Sequence, residues 1–154
     1  MKISEKLYLP CGAVIKNRFL KSAMTEGLAS VDASANERHS NLYDAWARGG
    51  SGISVTGNVQ VDHRYIERAG NVVIEGEQSN KQLASLAHWA EKGTQNNTHL
   101  WMQLSHAGRQ TPFTINKSSV APSAKQLEKI LGVLKFGKPK ELTHTEILDI
   151  IDRF

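Results

Sequence analysis

A single cysteine, Cys11, stands in a chain of 154 residues. One thiol cannot close an internal disulfide, so a reducing compartment fits and the cytoplasm is the default expectation. Long apolar runs are missing as well. None approaches the ~20 residues that a membrane span needs, and the opening MKISEKLYLP lacks the apolar core of a signal peptide. No membrane role is therefore expected. Charge is not concentrated in one sign: 19 Lys and Arg against 15 Asp and Glu leave a net +4, scattered rather than striped. That argues against a nucleic-acid partner. At 40% hydrophobic and 22% charged, the composition is that of an ordinary globular chain, with enough residues for one modest core.

Several catalytic signatures are absent too. The six histidines, at 39, 63, 88, 99, 106 and 144, form no H-x-x-x-H pair and there is no C-x-x-C, so no metal site is expected. No serine lies in a G-x-S-x-G elbow. A dinucleotide fold needs a glycine-rich turn between its first strand and the following helix. Here that exit reads AMTEGLAS, and the cluster GGSG at 49–52 precedes a strand instead.

What is present is an alternation of strands and helices. Leu7-Tyr8-Leu9 and Ala13-Val14-Ile15 flank Pro10-Cys11-Gly12 and read as a hairpin. Arg18 to Met24 is a candidate strand, with Thr25-Glu26-Gly27 opening the loop beyond it. Ser34-Ala35-Asn36-Glu37 reads as a capping box. The helix it opens carries Leu42, Tyr43 and Trp46 and stops at Gly49-Gly50. Gly52 to Thr56 is a second strand with Gly57-Asn58 at its exit, and 59–76 reads as a polar irregular loop. Ser79-Asn80-Lys81-Gln82 caps a helix with Leu83, Leu86, Ala87 and Ala90 on one face and Gly93 at its end. Leu100-Trp101-Met102 reads as a buried strand that delivers Gln103 to its C-terminal end, with Ser105-His106-Ala107-Gly108-Arg109 as the loop. Lys125 to Lys140 is basic and has a helical look. Thr143-His144-Thr145-Glu146 caps a last helix with Ile147, Ile150, Ile151 and Phe154 on its inner face, a face that a following strand would have to cover.

This order predicts an α/β fold in which residues 18–24, 52–57 and 99–104 are neighbouring parallel strands. Ligand chemistry in such folds collects at the C-terminal strand ends. Thr25, Asn58 and Gln103 are expected to converge there. A side-chain amide both donates and accepts, which suits the imide edge of a flavin or a nucleobase-like ring; hydrogen bonding to loop backbone is the alternative for Gln103. Arg109 could bind an anion, although a surface position is the commoner outcome. Three βα units cannot close a barrel, since eight take ~250 residues. The sequence is thus a small open sheet or the first part of something larger.

Three stretches, KNRFLKSAMTEG, YDAWARGGSGISVTGNVQVD and LWMQLSHAGRQ, resemble the Old Yellow Enzyme family of FMN-dependent NAD(P)H:flavin oxidoreductases. The hairpin KLYLPCGAVIKNR is similar to that family's barrel plug, and SVAPSA with ELTHTEI matches the approach to its third helix. The resemblance implies the N-terminal part of a (β/α)8 TIM barrel, about three βα units behind a β-hairpin. Residues 1–154 would form one portion of a single FMN-binding domain without an internal boundary. It also implies FMN as cofactor, NAD(P)H as reductant and an activated alkene or related acceptor as the small-molecule substrate. Ser22, Ala23, Met24, Thr25, Asn58 and Gln103 would line the flavin, with Thr25 donating to its O4 and Gln103 pairing with its pyrimidine edge. The family usually has proline where Ala23 stands, and glycine or alanine where Asn58 stands. The family's substrate-polarising pair, its tyrosine proton donor, its flavin-facing arginine and its phosphate loops come later in relatives, so no catalytic residue is assigned here. The expectation is an incomplete barrel with an open edge, prone to homo-oligomeric or edge-to-edge association. The alternative is a non-enzymatic remnant or partner-binding fragment.

Overall fold

The computed structural model describes residues 2–128 and 135–154. Two-residue strands β1 (Leu7–Tyr8) and β2 (Val14–Ile15) pair antiparallel about Pro10-Cys11-Gly12, as the turn residues predict. Strand β3 (Leu20–Lys21) leads into helix α1 (Glu37–Arg48). Strand β4 (Ile53–Gln60) is followed by β5 (Val72–Val73) and helix α2 (Asn80–Gly93). Strand β6 (His99–Ser105), then β7 (Val120–Ala121), β8 (Lys140–Glu141) and helix α3 (His144–Asp152) complete the order.

The parallel arrangement expected from the βα alternation is present: β3, β4 and β6 are neighbours in that order, with β4 in the middle. The hairpin sits at the N-terminal end of these strands. His99 Nε2 lies 3.2 Å from the Val14 carbonyl, and Lys16 Nζ donates to the Asn96 carbonyl at 2.6 Å and to Thr98 Oγ1 at 2.9 Å. The opposite, C-terminal end is left for the site.

Several boundaries differ from the sequence expectation. The first strand is two residues long rather than seven: beyond Lys21 opposite Ser54, the Lys21 ammonium takes the Val55 carbonyl. Further along, β5 pairs Val72 with Val59 and Val73 with Gln60. The segment 59–76 is therefore not wholly irregular. The second strand runs on to Gln60, which places Gly57 and Asn58 inside it instead of at its exit. The cap of α1 is Asn36, not Ser34. Asn36 is extended at φ −151° and its side chain accepts from the Arg38 N–H at 3.0 Å, while His39 Nδ1 accepts from the Asn36 N–H at 3.3 Å. Ser34 is held in the preceding turn by Asp32. Ser79 with Gln82 and Thr143 with Glu146 cap α2 and α3 as expected. On α2 the buried residue is Trp89, whereas Leu83 is exposed. Of the segment Lys125 to Lys140, expected to look helical, residues 125–128 and 135–140 form no helix, and 129–134 fall outside the described residues. Its described end carries a bridge from Phe136 to Pro112 and then strand β8, which pairs parallel with β7.

The core lies between the sheet and the two helices. Tyr43 of α1 and Trp89 of α2 meet edge to face, ring centres 5.2 Å apart, over Val59, Val72 and Ala35. Such large apolar faces carry ~1.5–3 kcal/mol each when fully buried. Because Val59 belongs to this cluster, its neighbours Asn58 and Gln60 face the other side of the sheet.

A β-bulge makes that alternation come out as it does. Val55 pairs with Trp101 and Asn58 with Gln103, so three steps on β4 oppose two on β6. The irregularity at Thr56-Gly57 is fully hydrogen-bonded. Thr56 Oγ1 accepts from the Gln103 N–H at 2.9 Å, and Tyr43 Oη accepts from the Gly57 N–H at 3.1 Å while donating to Glu26. Burial, and then Glu26, push the Tyr43 phenol up, so it stays protonated and keeps donating. A Cβ on Gly57 would lie 2.5 Å from the Met24 carbonyl oxygen and 2.7 Å from Thr25 Cα. Tyr43→Phe is expected to destabilise the chain by about 1–3 kcal/mol, the cost of losing the buried hydroxyl that bridges the Gly57 N–H and Glu26. Gly57→Ala is expected to cost more, because backbone must move. Urea unfolding with circular dichroism reads both, and a smaller loss for Gly57→Ala would contradict the close approach.

Candidate functional site

The site is built where the C-terminal ends of β4 and β6 lie side by side. His99, Trp101, Gln103 and Ser105 share one face of β6, and their partners on β4 are Ile53, Val55, Asn58 and Gln60. Leu100 packs on the opposite, helix-facing side. The face away from the helices thus carries, at its C-terminal end, Asn58 beside Gln103 and Gln60 beside Ser105.

Asn58 and Gln103 touch directly: Gln103 Nε2 donates to Asn58 Oδ1, and Asn58 Nδ2 donates to the Glu67 carboxylate. Gln103 is exposed, and among the described residues its carbonyl oxygen Oε1 has no hydrogen-bond partner. Thr25 is half-buried, and its Cα closely approaches Gly57, the residue before Asn58. Ser22 and Met24 are exposed and Ala23 is half-buried, on the segment leaving β3. Of the sequence-predicted residues, Asn58 and Gln103 lie beside the bulge, and Met24 and Thr25 approach it through backbone atoms. Arg109 lies exposed on a short 3-10 turn, at residues 108–110.

Three residues here escaped the sequence reading. Gln60 is fully buried and neither amide atom has a protein partner among the described residues. Ser105 lies opposite it, and Glu67 reaches back from the loop after β4. Ending the second strand at Thr56 hid Gln60; extending it by four residues would have exposed the polar alternation Asn58, Gln60. The strand expected to be buried, β6, is instead exposed at Trp101, Met102 and Leu104 (44%, 43% and 40%) because it forms the edge of the sheet.

Beyond the end of β4 lies a charge cluster. The Asp62 carboxylate is buried and accepts from Arg64 through Nε at 2.9 Å and Nη2 at 2.6 Å, with Arg153 Nη1 at 3.7 Å and His106 Nε2 at 3.8 Å. Arg153, at the end of α3, also pairs with Glu75, which in turn meets His63. Carboxyl oxygens of Asp62 and Glu75 and a His63 ring nitrogen come within 4.8 Å of one another, a spacing a cation could use. Two guanidinium groups already neutralise those carboxylates, so the arrangement works as an ion-pair clasp between β4 and α3. Burial lowers the pKa of His106, outweighing the pull of Asp62, and its Nδ1 accepts from the Gly108 N–H. The imidazole is a neutral bystander in the clasp.

Parallel βα units with polar residues at their C-terminal strand ends are what the N-terminal part of a TIM barrel contains. Comparison with solved structures supports this. The old yellow enzyme homologue from Zymomonas mobilis superposes with a TM-score of 0.81 at 20% identity, over 99% of this chain and 43% of that one. Morphinone reductase superposes at 0.77 and 18%, over 98% and 42%. Among curated proteins, the NADH-dependent flavin oxidoreductase iliE of Hypocrea jecorina is 35% identical over 95% of this chain and 40% of its own length. The NADH oxidase of Thermoanaerobacter brockii is 36% identical over 92% of this chain and 21% of its own. The chain therefore spans two-fifths or less of these curated relatives. The family model for NADH:flavin oxidoreductase / NADH oxidase matches residues 11–154. The chain belongs to that family.

The clasp makes a pH prediction. Burial raises the Asp62 pKa, but the hydrogen bonds and charge of Arg64, with Arg153 behind it, overcome this and leave it below the usual carboxylate value. A depressed folded-state pKa stabilises the fold above the unfolded value, and that stability is lost as the pH falls through the folded one. Unfolding free energy measured between about pH 6 and pH 2 should fall more steeply for the wild type than for Asp62→Asn, since the latter carries no titrating group there. Parallel curves would remove Asp62 from the acid-sensitive set.

Proposed function

We propose that residues 1–154 belong to a single TIM-barrel domain and supply the ring-contacting side of an FMN site. In the whole protein this site would serve an NAD(P)H-dependent oxidoreductase acting on an activated alkene or related small-molecule acceptor, in the cytoplasm. The observation that carries this reading is the Asn58–Gln103 amide pair, aimed away from the helices at the strand ends. Its free carbonyl oxygen and remaining amide hydrogen complement a ring edge that alternates acceptor, donor, acceptor. The family description names flavin and NADH, and the donor and acceptor left on the Gln103 amide support a flavin ring as the ligand.

FMN, when bound, would supply the hydride chemistry; the chain's own residues bind and orient it. Gln103 would hold the pyrimidine edge, Asn58 would lie beside it, and Thr25 would donate its hydroxyl to the ring carbonyl where negative charge grows on reduction. Ser22, Ala23 and Met24 would line the ring. None of these residues is assigned to the cofactor phosphate, so the contacts proposed here are to the ring alone.

Two outcomes follow. In a polypeptide carrying the complete barrel, Gln103→Ala should weaken FMN binding by about 1–3 kcal/mol, the cost of a lost polar partner in a closed site. The 154-residue chain by itself should quench FMN fluorescence weakly and oxidise NADH no faster than free flavin. Tight, stoichiometric binding with steady turnover would overturn the expectation that ring contacts alone are insufficient.

A second reading, association through the sheet edge, has its own support. Trp101, Met102 and Leu104 are exposed on β6, and an unpaired parallel edge invites another strand. Sedimentation of the 154-residue chain should then show self-association that a Lys at Met102 reduces.

A further inference from the structure

We infer that Glu67 is a positioning residue: its carboxylate sets which way round the amides of Asn58 and Gln103 face, so that Gln103 offers a carbonyl oxygen, not an amino group, to a ligand N–H. For its ligand, this rests on the flavin reading above. The polarity follows from hydrogen-bond roles alone. An ionised carboxylate only accepts, so it takes the Asn58 Nδ2–H, which turns Asn58 Oδ1 toward Gln103. That oxygen accepts from Gln103 Nε2, and the Gln103 carbonyl is left pointing onward. A charged terminus also polarises each amide in the chain, which strengthens the last acceptor. Without the carboxylate either amide can turn over at little cost.

Glu67 is held where it can do this. Asn71, buried, accepts from the Arg68 N–H at 2.9 Å and donates to the Asn58 backbone carbonyl at 3.2 Å, tying the loop to the strand that carries Asn58. Gly70 closes the loop. Its carbonyl accepts from the Ala29 N–H at 3.0 Å, and a Cβ there would stand 2.5 Å from the Gly27 carbonyl oxygen. The Glu67 side chain is about three-quarters buried, with Arg68 Nε 3.7 Å from its other oxygen.

The test uses the 154-residue chain, labelled with nitrogen-15, as wild type, Glu67→Ala, Glu67→Gln and Glu67→Arg. Without any ligand, Glu67→Ala should move the side-chain amide resonances of both Asn58 and Gln103 toward free-amide values, although Gln103 does not touch Glu67. Glu67→Gln, whose amide can present either its oxygen or its amino group, should restore them only in part. Glu67→Arg presents only donors and should reverse the order. A Gln103 resonance that stays put in both Glu67→Ala and Glu67→Arg, with the backbone spectrum intact, overturns the inference. The same variants in a polypeptide carrying the complete barrel are then titrated with FMN and with FMN methylated at the imide nitrogen. The wild type should prefer FMN by roughly tenfold, the scale of one lost hydrogen bond to a polarised partner. That preference should shrink to under about threefold in Glu67→Ala, with Glu67→Gln between the two. An unchanged preference in Glu67→Ala also overturns it. Failure of the wild type to bind either flavin at millimolar concentration counts against the flavin reading instead, and the ligand-free resonances still decide the role of Glu67.

Discussion

The bulge at Thr56-Gly57 is the constraint on which the site depends. Without the extra residue, strict alternation would turn Asn58 and Gln60 into the helix layer, and Val59 outward. With it, Val59 joins Tyr43 and Trp89 in the core and the amides face away from the helices. A bulge normally leaves ladder groups unpaired. Here Thr56 Oγ1 takes the Gln103 N–H and Tyr43 Oη takes the Gly57 N–H, so both strands stay satisfied through the irregularity. Fold stability and site geometry thus share the same hydrogen bonds.

The two ends of the sheet are fastened differently. At the N-terminal end the hairpin is tied by Lys16, whose ammonium donates to carbonyl oxygens of Ala47 and Asn96 and to Thr98. At the C-terminal end, the clasp of Asp62, Arg64, Glu75 and Arg153 joins the exit of β4 to the end of α3. Between them the β6 edge and the apolar face of α3, with Ile151 and Phe154 each 60% exposed, are uncovered among the described residues. In a parallel barrel both surfaces belong against later units, which agrees with a chain spanning about two-fifths of the iliE relative.

Much of this was written into the sequence. The hairpin turn, the caps at Ser79 and Thr143 and the glycine stops all rest on contacts within a few residues, so local chemistry was enough to find them. The βα alternation fixed the parallel order of β3, β4 and β6, because crossover connections leave few other arrangements. Gln103 was legible as a candidate site residue from the polar end of an apolar run.

What the sequence could not determine is whatever depends on contacts across the sheet. Strand β4 extends to Gln60 because β5 and β6 offer ladder partners there, and neither register can be read from ISVTGNVQ. The cap moved from Ser34 to Asn36 because Asp32 holds the turn before it. Glu67 lies nine residues beyond Asn58 in a loop without periodicity, and only the fold brings its carboxylate to that amide. Local spacing chose the elements of this protein; pairing across the sheet chose which side of β4 faces the site.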